Sequence, residues 1–341
     1  MNGKGDILLK SSVEVNHRLP ENLAQDDTDD FEKETNYFTD DSYLKCIGRA
    51  RVSPDSVIYR NGVLFSESLA SSGQQSYYRF RHLVKKLFFS KNVSLPANKK
   101  YLLVTDSWSA GHFHWFVDVL PKLLSIKGRA HEFVLLLQDA PYLKNIGLES
   151  FDMLGLNFED VVLMEEKSFY KVNNLYYISR ISVSGHMHPG VMKELRDKFL
   201  PDLTEGNKKI YISRNKAVYR KVVNEEEFAG KLKDYGFEIF IGEDFSLKEQ
   251  AAIFSSAKTL VGMHGAGLAN CIFMHPGSNV VELRKKEYGP SNVGYWHMAD
   301  SLDHRYYYFN GIPDSDKSLV GQGCSLSIPV KEFENSVLEK L

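Results

Sequence analysis

Beyond residue 100, apolar and polar positions alternate between two periods. Residues 101–105, 133–137 and 161–164 are short runs rich in β-branched and aromatic side chains, and each reads as a strand. The stretches 114–126, 142–154 and 191–200 carry apolar residues at helical spacing. A polar stretch at 201–207, with Pro201 and Gly206, marks a linker between two lobes. The second lobe is more regular. Strands are expected at 209–213, 237–241, 259–263 and 280–283. Asn224 with Glu227, and Ser246 with Glu249, have the capping-box spacing; they open helices to about Tyr235, with Phe228 and Leu232 on one face, and to about Ala257. A short helix starts at Leu268. Such alternation predicts βαβ units and a mostly parallel sheet in each lobe.

The first hundred residues read differently. Apolar runs at Val57-Ile58-Tyr59 and Val63-Leu64-Phe65 flank Asn61-Gly62, a dipeptide suited to positive φ, so a hairpin within a small β-meander is expected. Residues 20–42 carry Asp26, Asp27, Asp29, Asp30, Asp40 and Asp41 and read as a solvated, loosely packed lead-in. At the other end, residues 330–341 have helical spacing and are expected to pack back on the first lobe. The expected division is 1–100 as lead-in and meander belonging to the first lobe, 101–203 as the first Rossmann-like lobe, 204–325 as the second Rossmann-like lobe and 326–341 as the returning helix.

Composition narrows the function classes. With 341 residues, 43% hydrophobic and 25% charged, the chain is long enough for two lobes and ordinary for a soluble globular protein. A formal charge of −2 gives no electrostatic footprint for nucleic acid, and Arg284-Lys285-Lys286 reads as a solvated basic face. Three widely spaced cysteines, Cys46, Cys271 and Cys324, fit neither a disulfide framework nor a zinc cluster, which favours a reducing compartment. No stretch has the length of a membrane span, and the N-terminus lacks the pattern of a secretory signal. A cytoplasmic protein is expected.

The densest chemistry lies in residues 262–270, where His264-Gly265-Ala266-Gly267-Leu268 and Asn270 join a strand to a helix. Glycines let backbone N–H groups approach an anion, and a helix N-terminus adds donors and a positive dipole end, so a diphosphate fits there, with His264 as a further donor. A Gly-x-Gly alone more often makes a tight turn without a ligand. Arg214 shifts the balance, because it follows the first strand of the same lobe and points to the same edge, with Arg220 and Lys221 close behind; fixed cations suit a diphosphate leaving group on which charge builds. Glu282, inside a strand, needs a partner: either ribose hydroxyls or a cation such as Arg284.

In the first lobe, His114 and Asp118 are four residues apart and share a helix face, with His112 in the loop before them. Either His114 or Asp118 suits a general base that takes a proton from an acceptor hydroxyl; alternatively Asp118 merely orients His114 and both are structural. His112 and His114 lack a third ligand at zinc spacing, so no metal is expected. Asp27-Thr28-Asp29 and Asp314-Ser315-Asp316 have an Asp-x-Asp form but fall in polar, exposed loops and carry no cation site.

The ordered set of His114-Trp115, Asp118, Leu120-Pro121, Ile212-Ser213-Arg214, Arg220, Asn224-Glu225, Gln250, His264-Gly265-Ala266-Gly267-Leu268, Asn270, Phe273, Pro276-Gly277 and Glu282 resembles glycosyltransferase family 61, whose members include plant arabinoxylan xylosyltransferases and animal O-linked N-acetylglucosamine transferases. The resemblance implies an α/β fold of the GT-B type, two Rossmann-like lobes facing a central cleft, here with a small N-terminal β-rich extension. It further implies inversion at the anomeric carbon, a nucleotide-sugar donor bound mainly by the second lobe through Arg214, Arg220, His264, Gly265, Ala266, Gly267, Leu268, Asn270 and Glu282, and no cofactor or metal. His114 and Asp118 then fall on the acceptor side, with His112. Eukaryotic members carry secretory or Golgi-anchoring N-termini; a chain without one resembles bacterial members, with a capsule, lipopolysaccharide or other surface glycan as acceptor and peripheral association with the inner membrane. Two other classes compete: a non-catalytic nucleotide- or glycan-binding module, and a Rossmann-type oxidoreductase, which lacks the expected Gly-x-Gly-x-x-Gly at the opening of a first βαβ unit.

Overall fold

The computed structural model describes residues 5–200, 206–286, 293–318 and 323–341. The expected linker at 201–207, and the lobe boundary within it, lie largely outside the described residues. The chain divides into two compact units: Met1–Ser12 with Asp40–Ser182, and Val13–Thr39 with Val183–Leu341. Both are mixed α/β, as the alternation of periods predicts.

Among the described residues of the first unit, nine strands share one sheet. They are β1 (Ile7–Lys10), β2 (Ser42–Val52), β3 (Ile58–Arg60), β4 (Val63–Leu64), β5 (Lys91–Ser94), β6 (Tyr101–Leu103), β7 (Val134–Gln138), β8 (Asp160–Met164) and β9 (Ser168–Ile178). The central order is β8-β7-β6-β9-β2-β3-β4, with β1 on β2 and β5 on β9. Strands β8, β7, β6 and β9 run parallel, whereas β9–β2 and the meander β2–β3–β4 are antiparallel. In β7 the residues Val134, Leu135, Leu136 and Leu137 are all buried, as expected for a parallel strand covered on both faces. Asn61 (φ 50°) and Gly62 (φ 78°) make the β3–β4 turn in the left-handed region that the dipeptide predicts. Helix α1 (Phe80–Phe89) and the long strand β9 were not foreseen.

The second unit is built on five parallel strands in the order β11-β10-β12-β13-β14: β10 (Lys208–Ile212), β11 (Phe237–Phe240), β12 (Ala257–Met263), β13 (Asn279–Arg284) and β14 (Arg305–Asn310). Four match the expected strands to within two residues; β14, rich in tyrosine, is additional. Helices α2 (Glu225–Asp234), α3 (Leu247–Ser255), α4 (Gly294–Ser301) and α5 (Val330–Ser336) accompany them. Ser246 and Glu249 form the expected capping box at α3. Asn224 does not at α2: its amide instead pairs with both backbone groups of Ile328, at 2.8 Å each, stapling the C-terminal segment to the helix start.

That segment belongs to the second unit: Phe333 of α5 is fully buried there, edge-on to Phe228 of α2 and Phe309 of β14. The acidic lead-in is not loose. Phe31 is buried edge-on to Trp296, and the Arg284 guanidinium lies against the rings of both Phe31 and Tyr308, 5.1 and 5.7 Å from their centroids. Asp27 is buried, accepts hydrogen bonds from the Tyr308 hydroxyl (2.7 Å) and Asn310 (3.2 Å), and pairs with Lys286 at 2.6 Å. Arg284 thus belongs to a packed layer, not to a solvated basic face, while Lys286 stays exposed at its edge. Residues 13–39 form a strap on the second unit, further held where Asp300 meets His17 (2.9 Å) and Arg18 (2.6 Å).

Phe333→Ala removes a large ring from a packed site and should destabilise the second unit by about 3–5 kcal/mol. Urea unfolding followed by tryptophan fluorescence measures it; a loss below about 1 kcal/mol would mean that the C-terminal helix is not part of that core.

Candidate functional site

Among the parallel strands of each unit the chain reverses its direction of travel across the sheet at one point, and open parallel sheets bind ligands beyond the carboxyl ends of their strands there. In the second unit β10 leads to β11 on one side, and β12 then returns to the other side of β10. Ser213 and Arg214 follow β10, and His264 and Gly265 follow β12. The Arg214 guanidinium lies so close to Gly265 that a Cβ there would meet Nη1 at 2.7 Å. Arg214 is held in place: its Nε donates to the Arg220 carbonyl at 2.7 Å and its Nη2 to that of Tyr219 at 3.2 Å, while its backbone N–H donates to Glu225 at 3.3 Å. Arg220 has a positive φ of 58°, a conformation uncommon for a residue other than glycine, and its Nη1 reaches the His264 carbonyl at 3.5 Å.

The loop after β12 leads into a 3-10 helix, Ala266–Phe273, whose N-cap residue, Gly265, has no side chain to cap it. Two glycines, one in this helix and one in β12, have packing reasons. A Cβ on Gly267 would press on Ile212 at 3.1 Å, and one on Gly262 would press on Leu268 at 3.1 Å. Leu268 and Asn270 are buried. The loop therefore fits tightly over β10 and leaves Gly265 for the arginine.

Glu282 is fully buried in β13, and both of its oxygens are used: Oε1 meets His264 Nδ1 at 2.5 Å and Oε2 accepts from the Tyr306 hydroxyl at 2.6 Å. Burial alone raises its pKa, but His264, Arg284 and Tyr306 outweigh that and hold the carboxyl below its ordinary value. Of the two uses open to Glu282 in the sequence, the structure shows a pairing of the second kind in modified form: its close partners are His264 and Tyr306. With Nδ1 committed to Glu282 and the ring edge-on to Tyr295 at 5.1 Å, His264 has a fixed orientation.

In the first unit β6, β7 and β8 progress to one side while β9 returns to the other side of β6. The loop after β6 opens a helical run over residues 112–124 whose middle, Trp115–Val119, is π-helical; the Leu120 N–H bonds the Trp115 carbonyl. Pro121, without an N–H, follows directly and favours such a widened turn. His114 Nδ1 lies 2.8 Å from Asp118 Oδ2, and His114 is the more exposed of the two side chains (28% against 10%). His112 Nδ1 pairs instead with the Tyr142 hydroxyl at 2.9 Å.

Three nearby charges escaped the sequence reading. Arg180, just past β9, donates to Asp106 at 2.7 Å across the point where the strand order reverses. Lys122 is buried, donates to the Val104 carbonyl, and is pushed by burial down to about 8 although Asp106 and Asp118 favour its charge. Lysine amid Leu120, Pro121, Leu123 and Leu124 was the available signal, since a charge on an apolar face needs a partner. Asp314 and Asp316 are exposed, as expected for their loop, and Asp27 is not. Among the described residues, no three His, Cys, Asp or Glu side chains gather as metal ligands, and no helix is long and apolar enough to cross a membrane.

Residues 112–281 match the family model of glycosyltransferase 61, a span that opens at His112, takes in Arg214 and the His264 loop, and ends one residue before Glu282. The chain belongs to glycosyltransferase family 61. No curated protein matches it. Membership in family 61 supports glycosyltransferase activity, and with it a sugar donor and an acceptor as partners.

Glu282→Gln tests the buried pair. A carboxyl whose folded pKa lies below its unfolded value adds stability above about pH 4.5, lost as pH falls through the folded value. The variant should lose about 3 kcal/mol at neutral pH, with the gap to the parent closing in acid. Urea midpoints across that range read the effect; a gap that does not change with pH would remove the charge from the account.

Proposed function

We propose that the chain is an inverting glycosyltransferase that moves a sugar from a nucleotide-diphosphate donor to a hydroxyl of a glycan acceptor, and needs no metal. The reading rests above all on Arg214 lying over Gly265 beside the oriented His264, where the strand order of the second unit reverses. That arrangement offers a fixed cation, an imidazole and an uncapped helical turn to one anion, the combination a diphosphate leaving group needs. Gly265, Ala266 and Gly267 would bring backbone donors to the phosphates; Arg220, Leu268, Asn270 and Glu282 would hold that loop rather than touch the donor.

In the transfer step, the acceptor hydroxyl oxygen attacks the anomeric carbon as its proton passes to the base. The bond from that carbon to the diphosphate oxygen breaks on the opposite face, and the electron pair leaves with the nucleoside diphosphate. Inversion by one displacement needs one base. Of the two candidates His114 suits better, because it is the more exposed of the pair and Asp118 engages its Nδ1, fixing the tautomer and ring orientation. Asp118 is then a positioning residue, and His112, engaged with Tyr142, lines the acceptor side. The GT-B arrangement of donor and acceptor lobes is part of this proposal. So is a cytoplasmic site of action on a bacterial capsule, lipopolysaccharide or other surface glycan.

Two measurements test the reading. A nucleotide sugar or nucleoside diphosphate at about 100 times its Kd should stabilise the protein by about 2.7 kcal/mol in thermal unfolding, with and without chelator, and the effect should vanish in Arg214→Ala. Indifference to every nucleotide, or a response to dinucleotides alone, would sink the donor assignment. Once the donor is known, His114→Ala should lower kcat by about 100-fold or more, and Asp118→Asn should lower it less while shifting the pH profile. If Asp118→Asn were the more damaging change, Asp118 would be the base; full turnover in both variants would remove the pair from catalysis.

A further inference from the structure

Helix α1 shows solvent the kind of side chain a helix normally hides. Its inner face places Leu83, and in part Leu87, against Val57, Tyr59, Tyr78 and Phe169. Phe80, Phe88 and Phe89 stand outward, 75%, 78% and 83% exposed, with Tyr77 at 69% just before them. Arg81 and Lys85 share this outer surface, so Phe80 and Phe89 bracket a ridge of cations with Phe88 alongside. Arg79 and Lys86 add charge at its margins, and the chain from Ser76 to Asn92 contains no acidic residue. Lys91 is paired with Glu165 at 3.7 Å and is left out of the count. A shallow hollow beside the helix is lined by Val63, Arg79 and Phe80, so the tip of the β3–β4 hairpin, with exposed Val63 and Arg60, continues the same surface.

Large apolar side chains exposed together mark an interaction surface. The kind of partner follows from how the charges are arranged. A helix that docks in a protein groove gathers its apolar anchors on one stripe at i, i+3, i+4 and i+7 and keeps charges off it. Here the aromatic rings and cations interleave across a convex surface. That pattern suits the boundary of a bilayer, where rings enter at the headgroup level and arginine and lysine stems lie along apolar surface while their charges reach phosphates. We propose that α1 and the adjoining hairpin tip dock the protein on an anionic lipid bilayer. The proposal does not depend on the glycosyltransferase reading and can fail or hold apart from it.

The test is sedimentation of the full chain with vesicles of phosphatidylcholine alone and of phosphatidylcholine with about one third phosphatidylglycerol. Binding is expected to the anionic vesicles only and to weaken as salt rises. Phe80→Ser, Phe88→Ser and Phe89→Ser together should reduce partitioning by more than about tenfold. Arg81→Gln with Lys85→Gln should reduce it by roughly 25-fold, at about fivefold per cation. All these side chains are exposed, so both variants should melt with the parent, which separates lost docking from lost folding. Failure of the parent to sediment with anionic vesicles would overturn the proposal, as would variants that bind like the parent. Phenylalanine-dependent self-association of a chain that ignores vesicles would overturn it in favour of a protein-binding surface.

Discussion

A carboxylate with no access to water has to be matched at both oxygens, and Glu282 imposes that condition on the second unit. One oxygen recruits His264 from the end of β12 and the other recruits Tyr306 from β14, so three neighbouring strands are held in mutual register by one side chain. The loop that starts at His264 inherits a fixed origin. From there the close fit of Gly267 on Ile212 and of Arg214 on Gly265 follows with little freedom. A site that must favour a developing charge gains from parts already fixed before the substrate arrives.

The first unit meets a comparable demand in a different way. Arg180 and Asp106 tie β9 to the loop after β6, and Lys122 brings a charge beneath the helix that carries His114 and Asp118. The π-helical turn at Trp115–Val119 sits between these features, in the segment with which the family match begins. Widened turns of this kind cost helix stability and are common at functional sites.

The regular half of the chain was the readable half. Strands β10 to β13, the hairpin at Asn61-Gly62, the capping box at Ser246 and the pairing of His114 with Asp118 all follow from local period or spacing, so a window of sequence contains their cause. What escaped depends on partners far along the chain. Asp27 looks like a solvated acid until Tyr308 and Lys286 are brought to it, and Arg284 looks like part of a basic face until Phe31 covers it. Asn224 has the right spacing for a box with Glu227, yet Ile328, about a hundred residues away, takes its amide. Glu282 was left between two uses because its deciding partners, His264 and Tyr306, flank it in space and not in sequence. The roles of the site residues in turnover were beyond the sequence for another reason: they depend on a substrate.

The strap of residues 13–39 makes the chain pass between its two units at 12/13, 39/40 and 182/183. During synthesis this strap leaves the ribosome early, but Trp296 and Tyr308, which cover its Phe31, are made more than 250 residues later. The first unit can assemble while the strap waits with its apolar side chain uncovered, and the second unit closes only near the end of translation. Neither unit is therefore one contiguous length of gene. A fragment cut at 182/183 would take the strap from the sheet it belongs to and leave the ring face of Arg284 bare, so exchange of modules between relatives at that point would carry half a unit rather than a whole one.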